Sequence, residues 1–288
     1  MKTGAVFPQT ESGTDVAALR NYVQTVESLG CDYLLCFDHV LGHRPADMAT
    51  WPGPYTDGDS FHEILTFFAW AAAITERIEF FTGIVILPQR QAQLVAKQAA
   101  EIDILSGGRL QLGIGIGWNQ VELEGMGMNF GDRGRRAEEQ IRLMRALWTQ
   151  ELVDFDGQYH QLRQTGINPL PVQRPIPVWI GGYADVVLRR AARLADGMLP
   201  GSDLAEGRSR VPRLRQYLAD EGRDPDDFGI NVWLNAGEIE RAQWDDFVGE
   251  WRELGATHIA LDTMNAGCES LSQHLALVEE FVTAFGSS

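Results

Sequence analysis

IEFFTGIVILPQRQAQLVAKQAAEIDILSGGRLQLGIG, residues 78–115, contains two strands and the helix between them. Ile78–Ile86 is a mainly apolar stretch rich in β-branched and aromatic residues, the pattern of a strand buried on both faces. Leu94, Val95, Ala99, Ile102 and Leu105 then recur at helical spacing, and Gly107-Gly108 supplies the stop. Leu110–Gly115 returns to strand. Strand, helix, strand in so short a span is the crossover unit of a parallel sheet.

The alternation continues on both sides. Upstream, Lys2–Phe7 reads as a strand, Thr14-Asp15 caps a helix ending near Gly30, and Asp32–Phe37 is the second strand. Phe61, Ile64, Leu65, Phe68 and Ala72 mark an amphipathic helix leading into the quoted stretch. Downstream, Ala137, Ile141, Met144 and Trp148 lie on another helix, and Leu152–Leu162 reads as a hairpin with a tight turn at Asp156-Gly157. Val178–Gly181 is the fifth strand. Gly197–Pro200, Phe228–Asn235 and His258–Leu261 follow, each with a helix after it. Eight such units without a linker or a shift in composition favour a closed (β/α)8 TIM barrel over an open doubly wound sheet, with residues 1–288 as one domain.

Composition narrows the function. The 288 residues carry a formal charge of −16, with Lys2 and Lys97 the only lysines, and a field of that sign repels nucleic-acid backbones. The start, MKTGAVFPQT, has no basic and apolar leader, and the longest apolar run, Phe67–Ile74, is far short of a membrane span. Cys31, Cys36 and Cys268 form no C-x-x-C pattern and read as reduced thiols of a cytoplasmic protein.

In a barrel of this kind the active site lies where the strands end, on the loops that follow them. A Schiff-base mechanism needs a lysine there, but Lys2 sits at the opposite end and Lys97 on an outer helix. His39 and His43 have ligand-like spacing in a loop broken by Gly42 and Pro45, where helical geometry does not hold, so no metal site is expected. Asp38, Glu63 and Asp262 offer carboxylates, but no local pattern selects a glycosidase pair. The run Gly113-Ile-Gly115-Ile-Gly117-Trp118 lacks the third glycine of a dinucleotide fingerprint and follows the fourth strand rather than the first. What remains at the strand ends is glycine. Gly115, Gly117, Gly181 and Gly182 either make tight turns or bring bare N–H groups to a phosphate-bearing cofactor. His39, directly after Asp38 at the end of the second strand, either packs locally or moves a proton.

At these residues the chain resembles the bacterial luciferase-like monooxygenase superfamily, and most closely its branch of probable coenzyme F420-dependent oxidoreductases. The similarity runs through Phe7–Thr10, Asp38–Gly42, Phe61–Glu63, Thr82–Asn119, the GRRAEEQ block at 134–140, Asn168–Gly182 and Leu188–Gly197. It implies a barrel with a deazaflavin or flavin across its mouth and a cis peptide at Gly83–Ile84 behind the ring. It implies contacts from Asp38, His39, Gly83, Ile84, Gly115, Gly117, Trp118, Asn119, Gly181, Gly182, Tyr183 and Ala184, with His39 catalytic. Arg90 and the Arg133–Arg136 cluster are candidates for the anionic tail of coenzyme F420. The expected reaction is F420-dependent hydride transfer to or from a small organic substrate. That substrate would enter between the 41–60 loop, a possible lid, and Pro169–Pro175, past Trp51, Tyr55 and Trp118. The alternatives are an FMN-dependent monooxygenase served by a separate reductase, and an inactive ligand-binding barrel. Relatives of this kind are commonly homodimers.

Overall fold

A computed structural model describes residues 1–51 and 53–286. Pro52 of the 41–60 loop, and Ser287 and Ser288 at the end of the expected 1–288 domain, lie outside the described residues. The chain runs through β1 (Lys2–Val6), α1 (Val16–Ser28), β2 (Tyr33–Cys36), α2 (Ile64–Ala72), β3 (Glu79–Thr82), β4 (Val85–Ile86), α3 (Ala92–Ser106) and β5 (Leu110–Gly115). It continues through α4 (Gln120–Gly125), α5 (Arg133–Thr149), β6 (Val153–Asp156), β7 (Gln161–Thr165), β8 (Val178–Gly181) and α6 (Asp185–Leu194). It ends with β9 (Gly197–Leu199), α7 (Leu204–Asp220), β10 (Gly229–Asn235), α8 (Trp244–Glu253), β11 (His258–Asp262) and α9 (Leu271–Phe285).

The parallel strands lie in the order β3, β2, β1, β11, β10, β9, β8, β5, β4, and a pairing of β3 with β5 closes the ring. The third position is split. Ile78–Ile86 reads as one strand, but the chain breaks at a cis Gly83–Ile84 peptide. β3 then pairs with both β2 and β5, and β4 with β5. Counted so, the described residues form an eight-stranded (β/α)8 barrel with helices outside.

Strand alternation sends every second side chain inward. The lower interior is filled by Tyr33, Phe81, Trp179 and His258, whose rings meet edge-on or tilted at 4.8–6.1 Å. Glycines make room for them: a Cβ on Gly197 or Gly229 would stand 2.1 or 2.0 Å from a Trp179 ring atom. The polar tips are satisfied in place. Tyr33 Oη donates to Asn231 Oδ1 at 2.8 Å, and Trp179 Nε1 donates to Gln111 Oε1 at 2.9 Å.

Three local expectations shift. The buried face of α3 is Ala92, Val95, Ala96, Ala99, Ala100 and Ile102, leaving Leu94 and Leu105 each 53% exposed. The small residues let α3 lie close to α2 and α5, and close approach decided the face more than side-chain size. Phe61 precedes α2, which starts at Ile64 because the Glu63 carboxylate caps the Thr66 N–H at 2.7 Å. The β6–β7 hairpin turns through four residues, with Asp156 opposite Gln161, rather than a two-residue turn at Asp156-Gly157. The Glu139 carboxylate holds that loop by accepting the N–H groups of Gln158, Tyr159 and His160. No helix among the described residues is long and apolar enough to cross a membrane.

Candidate functional site

At the C-terminal ends of the strands, one half of the inner wall is glycine. Gly83, Gly115 and Gly181 occupy inward positions, and Ile84, turned by the break in the third strand, lies over the last two. A Cβ on Gly115 would stand 2.1 Å from Ile84 Cδ1, and one on Gly181 2.7 Å from Ile84 Cγ2. The missing side chains thus let Ile84 lie flat, giving an apolar floor to that half of the mouth. Beside it, Gly182 has φ of +135° and donates its N–H to Leu199 O at 3.0 Å. Ala184 then precedes α6 with no side-chain cap, and with Val187 N–H already on Ala184 O at 2.8 Å, the N–H groups of Asp185 and Val186 keep the donor capacity that suits an anion. The Asp185 carboxylate is drawn away from that end, to Arg189 at 3.0 Å and the Tyr217 hydroxyl at 2.6 Å. Tyr183 is 66% exposed, with the Arg210 guanidinium 4.9 Å from its ring centroid. This donor set suits a phosphate monoester, with the Arg210 guanidinium nearby but paired to Glu206 at 3.1 Å.

The facing wall carries His39. Its ring meets those of Tyr55, Phe61 and Trp118 edge-on, with centroids 5.2, 5.0 and 5.7 Å away. Trp51 covers Trp118 at 5.6 Å. His43, the second histidine of the ligand-like spacing, packs instead against Trp51 at 5.0 Å. His39, Tyr55, Thr56, Asp59, Phe61 and Asn119 line a cavity of about 130 Å³. His39 Nδ1 lies 2.9 Å from Oε2 of Glu122, a carboxylate fully buried at the start of α4. Glu122 Oε1 accepts the N–H groups of Val40 at 2.6 Å and Leu41 at 3.3 Å. Burial pushes the Glu122 carboxyl up, but His39 and these N–H donors outweigh it and hold it below the ordinary value.

Not every residue implied by the resemblance faces this space. Asp38 points outward, buried, and pairs with Arg90 through two bonds of 2.7 and 2.8 Å while accepting the Ile86 N–H at 2.9 Å. It ties the end of β2 to β4 and supports the mouth from behind. Trp118 and Gly117 belong to the rim, where Gly117 has φ of +78° and its carbonyl accepts from Arg133 Nε at 3.2 Å. Asn119 turns inward to cap α4, its Oδ1 accepting the Glu122 N–H at 3.1 Å. Three of the arginines offered for an anionic tail have partners within the chain. Arg90 is held by Asp38, Arg133 by Gly117 O and Phe130 O, and Arg136 by Asp132 at 3.0 Å. Arg135 is exposed.

Across from the glycines, alternation along β11 turns Asp262 inward. One carboxyl oxygen accepts the Met264 N–H at 3.0 Å. Burial pushes its pKa up to about 7 against the lowering effect of the Met264 hydrogen bond, and repulsion from Glu11 and Glu238 adds smaller contributions in the same direction as burial. Tyr55 is raised to about 12 by burial and by the nearby Asp262 and Asp59 charges.

The profile of the family described as Luciferase-like monooxygenase matches residues 1–254. The chain belongs to that family. A relative in Mycobacterium tuberculosis (strain H37Rv), an uncharacterized protein, is 39% identical over 222 residues, covering 73% of this chain and 75% of its own. An FMNH(2)-dependent dimethylsulfone monooxygenase of Pseudomonas putida is 29% identical over 277 residues, covering 93% of this chain and 72% of its own. Among solved structures, an F420-dependent secondary alcohol dehydrogenase in complex with an F420-acetone adduct superposes with a TM-score of 0.79, covering 100% of this chain and 99% of that one. Its sequence identity is 15%, so the likeness speaks for the fold alone. Membership in the luciferase-like family puts this barrel among oxidoreductase scaffolds.

Two residues of this luciferase-like site had no reading in the sequence. Glu122 stands three after Asn119, the spacing of a helix-start capping box. Its side chain instead goes to His39, 83 positions away in the chain. Arg210 sits mid-way along α7 with nothing local to mark it, and its Nη1 donates to Pro200 O at 3.0 Å.

Proposed function

We propose that the mouth binds reduced FMN and that the protein is a flavin-dependent monooxygenase of a small organic molecule. The observation that carries this reading is the grouping at one barrel end of the Ile84 floor, the uncapped start of α6 and His39. A flat ring, a phosphate and one proton-handling group are accommodated together. When bound, reduced flavin supplies the electrons that activate oxygen toward the substrate. The chain's own part is to orient and to exclude water. Ile84 would support one face of the ring, the N–H groups at the start of α6 would hold the phosphate beside the Arg210–Glu206 pair, and Trp51, Tyr55, Phe61 and Trp118 would dry the side next to His39. His39 holds or moves a proton at its imidazole. A separate reductase supplies the reduced cofactor.

Coenzyme F420, the first expectation from the sequence, becomes the second reading. Its longer anionic tail calls for several cations at the rim; Arg90, Arg133 and Arg136 are engaged with Asp38, backbone carbonyls and Asp132, which leaves Arg135 alone among the arginines offered for it. The Pseudomonas putida relative, named for FMNH(2), supports the same preference. Ultraviolet–visible titration with FMN under reducing conditions, and with coenzyme F420, tests the choice. Saturable FMN binding with weaker F420 binding is expected. The reverse order overturns FMN in favour of the deazaflavin, and binding of neither leaves a ligand-binding barrel without redox chemistry. In the same assay His39→Ala keeps cofactor affinity but lowers turnover by about 10²–10⁴-fold; unchanged turnover removes His39 from the mechanism.

A further inference from the structure

The His39–Glu122 contact has a directional consequence. A carboxylate only accepts hydrogen bonds, while each ring nitrogen of a neutral imidazole is either donor or acceptor. Glu122 Oε1 already takes the N–H groups of Val40 and Leu41, two backbone donors that cannot reverse their roles. Those donors and the facing His39 ring favour the ionised form strongly enough to outweigh burial, which opposes it. Oε2 then needs a donor, and the group facing it at 2.9 Å is His39 Nδ1. The proton therefore belongs on Nδ1. Nε2 is left with its lone pair, and among the described residues it makes no hydrogen bond.

We infer that Glu122 is a positioning residue that holds His39 as the Nδ1–H tautomer and so presents Nε2 as the proton acceptor of the mouth. This rests on the proposed role of His39 in a flavin site, and it adds which atom of the imidazole works and what sets it. The backbone contacts make the setting rigid. Val40 and Leu41 directly follow His39, so the one carboxylate fixes both the protonation of the ring and the chain segment that carries it. Glu122 in turn is placed by Asn119, whose side chain caps the N–H of Glu122 itself at 3.1 Å. The tie therefore runs from the rim after β5 to the rim after β2, across the edge of the proposed cofactor site.

The isosteric Glu122→Gln variant tests the inference. To keep serving Val40 and Leu41 its amide oxygen must face their N–H groups, which turns the NH2 toward Nδ1. Nδ1 then has to accept, and the proton moves to Nε2. Heteronuclear NMR of histidine-15N-labelled full-length protein reads the tautomer directly, with His39 assigned by its loss in His39→Gln. The wild type is expected as Nδ1–H and Glu122→Gln as Nε2–H, both without any cofactor. In turnover assays Glu122→Gln is expected to lower kcat by tenfold or more, with KM and FMN affinity within about twofold, since the loss falls on proton transfer rather than binding. Glu122→Asp, which keeps the carboxylate, restores the wild-type tautomer.

An Nε2–H tautomer in the wild type overturns the inference, whether or not Glu122→Gln folds. So does a Glu122→Gln protein that is less stable but unchanged in tautomer and in kcat, the result a purely structural glutamate produces. The tautomer measurement needs no flavin. Failure of FMN to bind while the Nδ1–H tautomer is observed therefore counts against the flavin reading and leaves the role of Glu122 intact.

Discussion

The two ends of the barrel use glycine in opposite ways. At the lower end, Gly197 and Gly229 admit the Trp179 indole, which is wedged between them and locked by its bond to Gln111. At the mouth, Gly115 and Gly181 admit the Ile84 side chain, a flexible group that stays half-buried. The lower space is filled to close-packed density by rings of this chain, and the upper is floored but not filled. The same deletion of a side chain builds a plug in one place and a binding surface in the other. What differs is whether the neighbour that moves in has anywhere left to go.

That contrast sets the largest expected effects. Trp179→Ala empties the plug and should lower stability by about 3–5 kcal/mol in denaturant titration, as large-to-small changes of buried aromatics do. Flavin affinity of the surviving folded protein should stay near the wild-type value. Gly115→Ala should do the reverse. Its new methyl meets the Cδ1 end of Ile84, which can rotate into the open mouth, so stability should fall by no more than about 1 kcal/mol, the low end for overpacking. The displaced Ile84 then stands where the ring would lie, and FMN binding should weaken tenfold or more. A Gly115→Ala protein that binds FMN normally, or a Trp179→Ala protein that loses binding along with its stability, would break the division of labour between the two ends.

The frame of the barrel was more legible in the sequence than the contacts at either end. Alternating strand and helix patterns are local, and eight of them in one chain suffice for a barrel without any long-range contact. The helix face of α3 was misjudged because Leu94 and Leu105 are larger than the alanines that actually pack, and periodicity counts size rather than approach. At the mouth, the glycines and His39 stood out by their place after strands, but their partners did not. Asp38 reads as a cofactor contact until Arg90, 52 positions on, is seen to hold both its oxygens. Glu122 has no reading at all. Ion pairs between distant loops have no spacing signal, since the fold, not the neighbouring sequence, brings them together.

The smallest effects separate the ends by pH, and both lie on β11. His258, at its lower end, is pushed down to about 3 by burial, with Lys2 and the chain's amino terminus repelling its cationic form. As pH falls below about 6.5 the unfolded chain takes up a proton at this position that the folded protein refuses, so stability from His258 is lost between about pH 6.5 and 3. Asp262, at the upper end, behaves in the opposite sense. With its pKa raised to about 7, the folded protein keeps a proton that the unfolded chain has released above pH 4, and stability falls as pH rises from about 4 to 7. Asp262→Asn keeps the shape and removes the charge. It should raise Tm above that of the wild type by a few degrees at pH 8, with the gain vanishing near pH 4, measured by calorimetry across the range. A Tm difference that is the same at pH 4 and pH 8 would mean that Asp262 is charged throughout, with a cation or solvent reaching it from the mouth. The barrel's upper end would then be wetter than its inward-facing carboxyl implies.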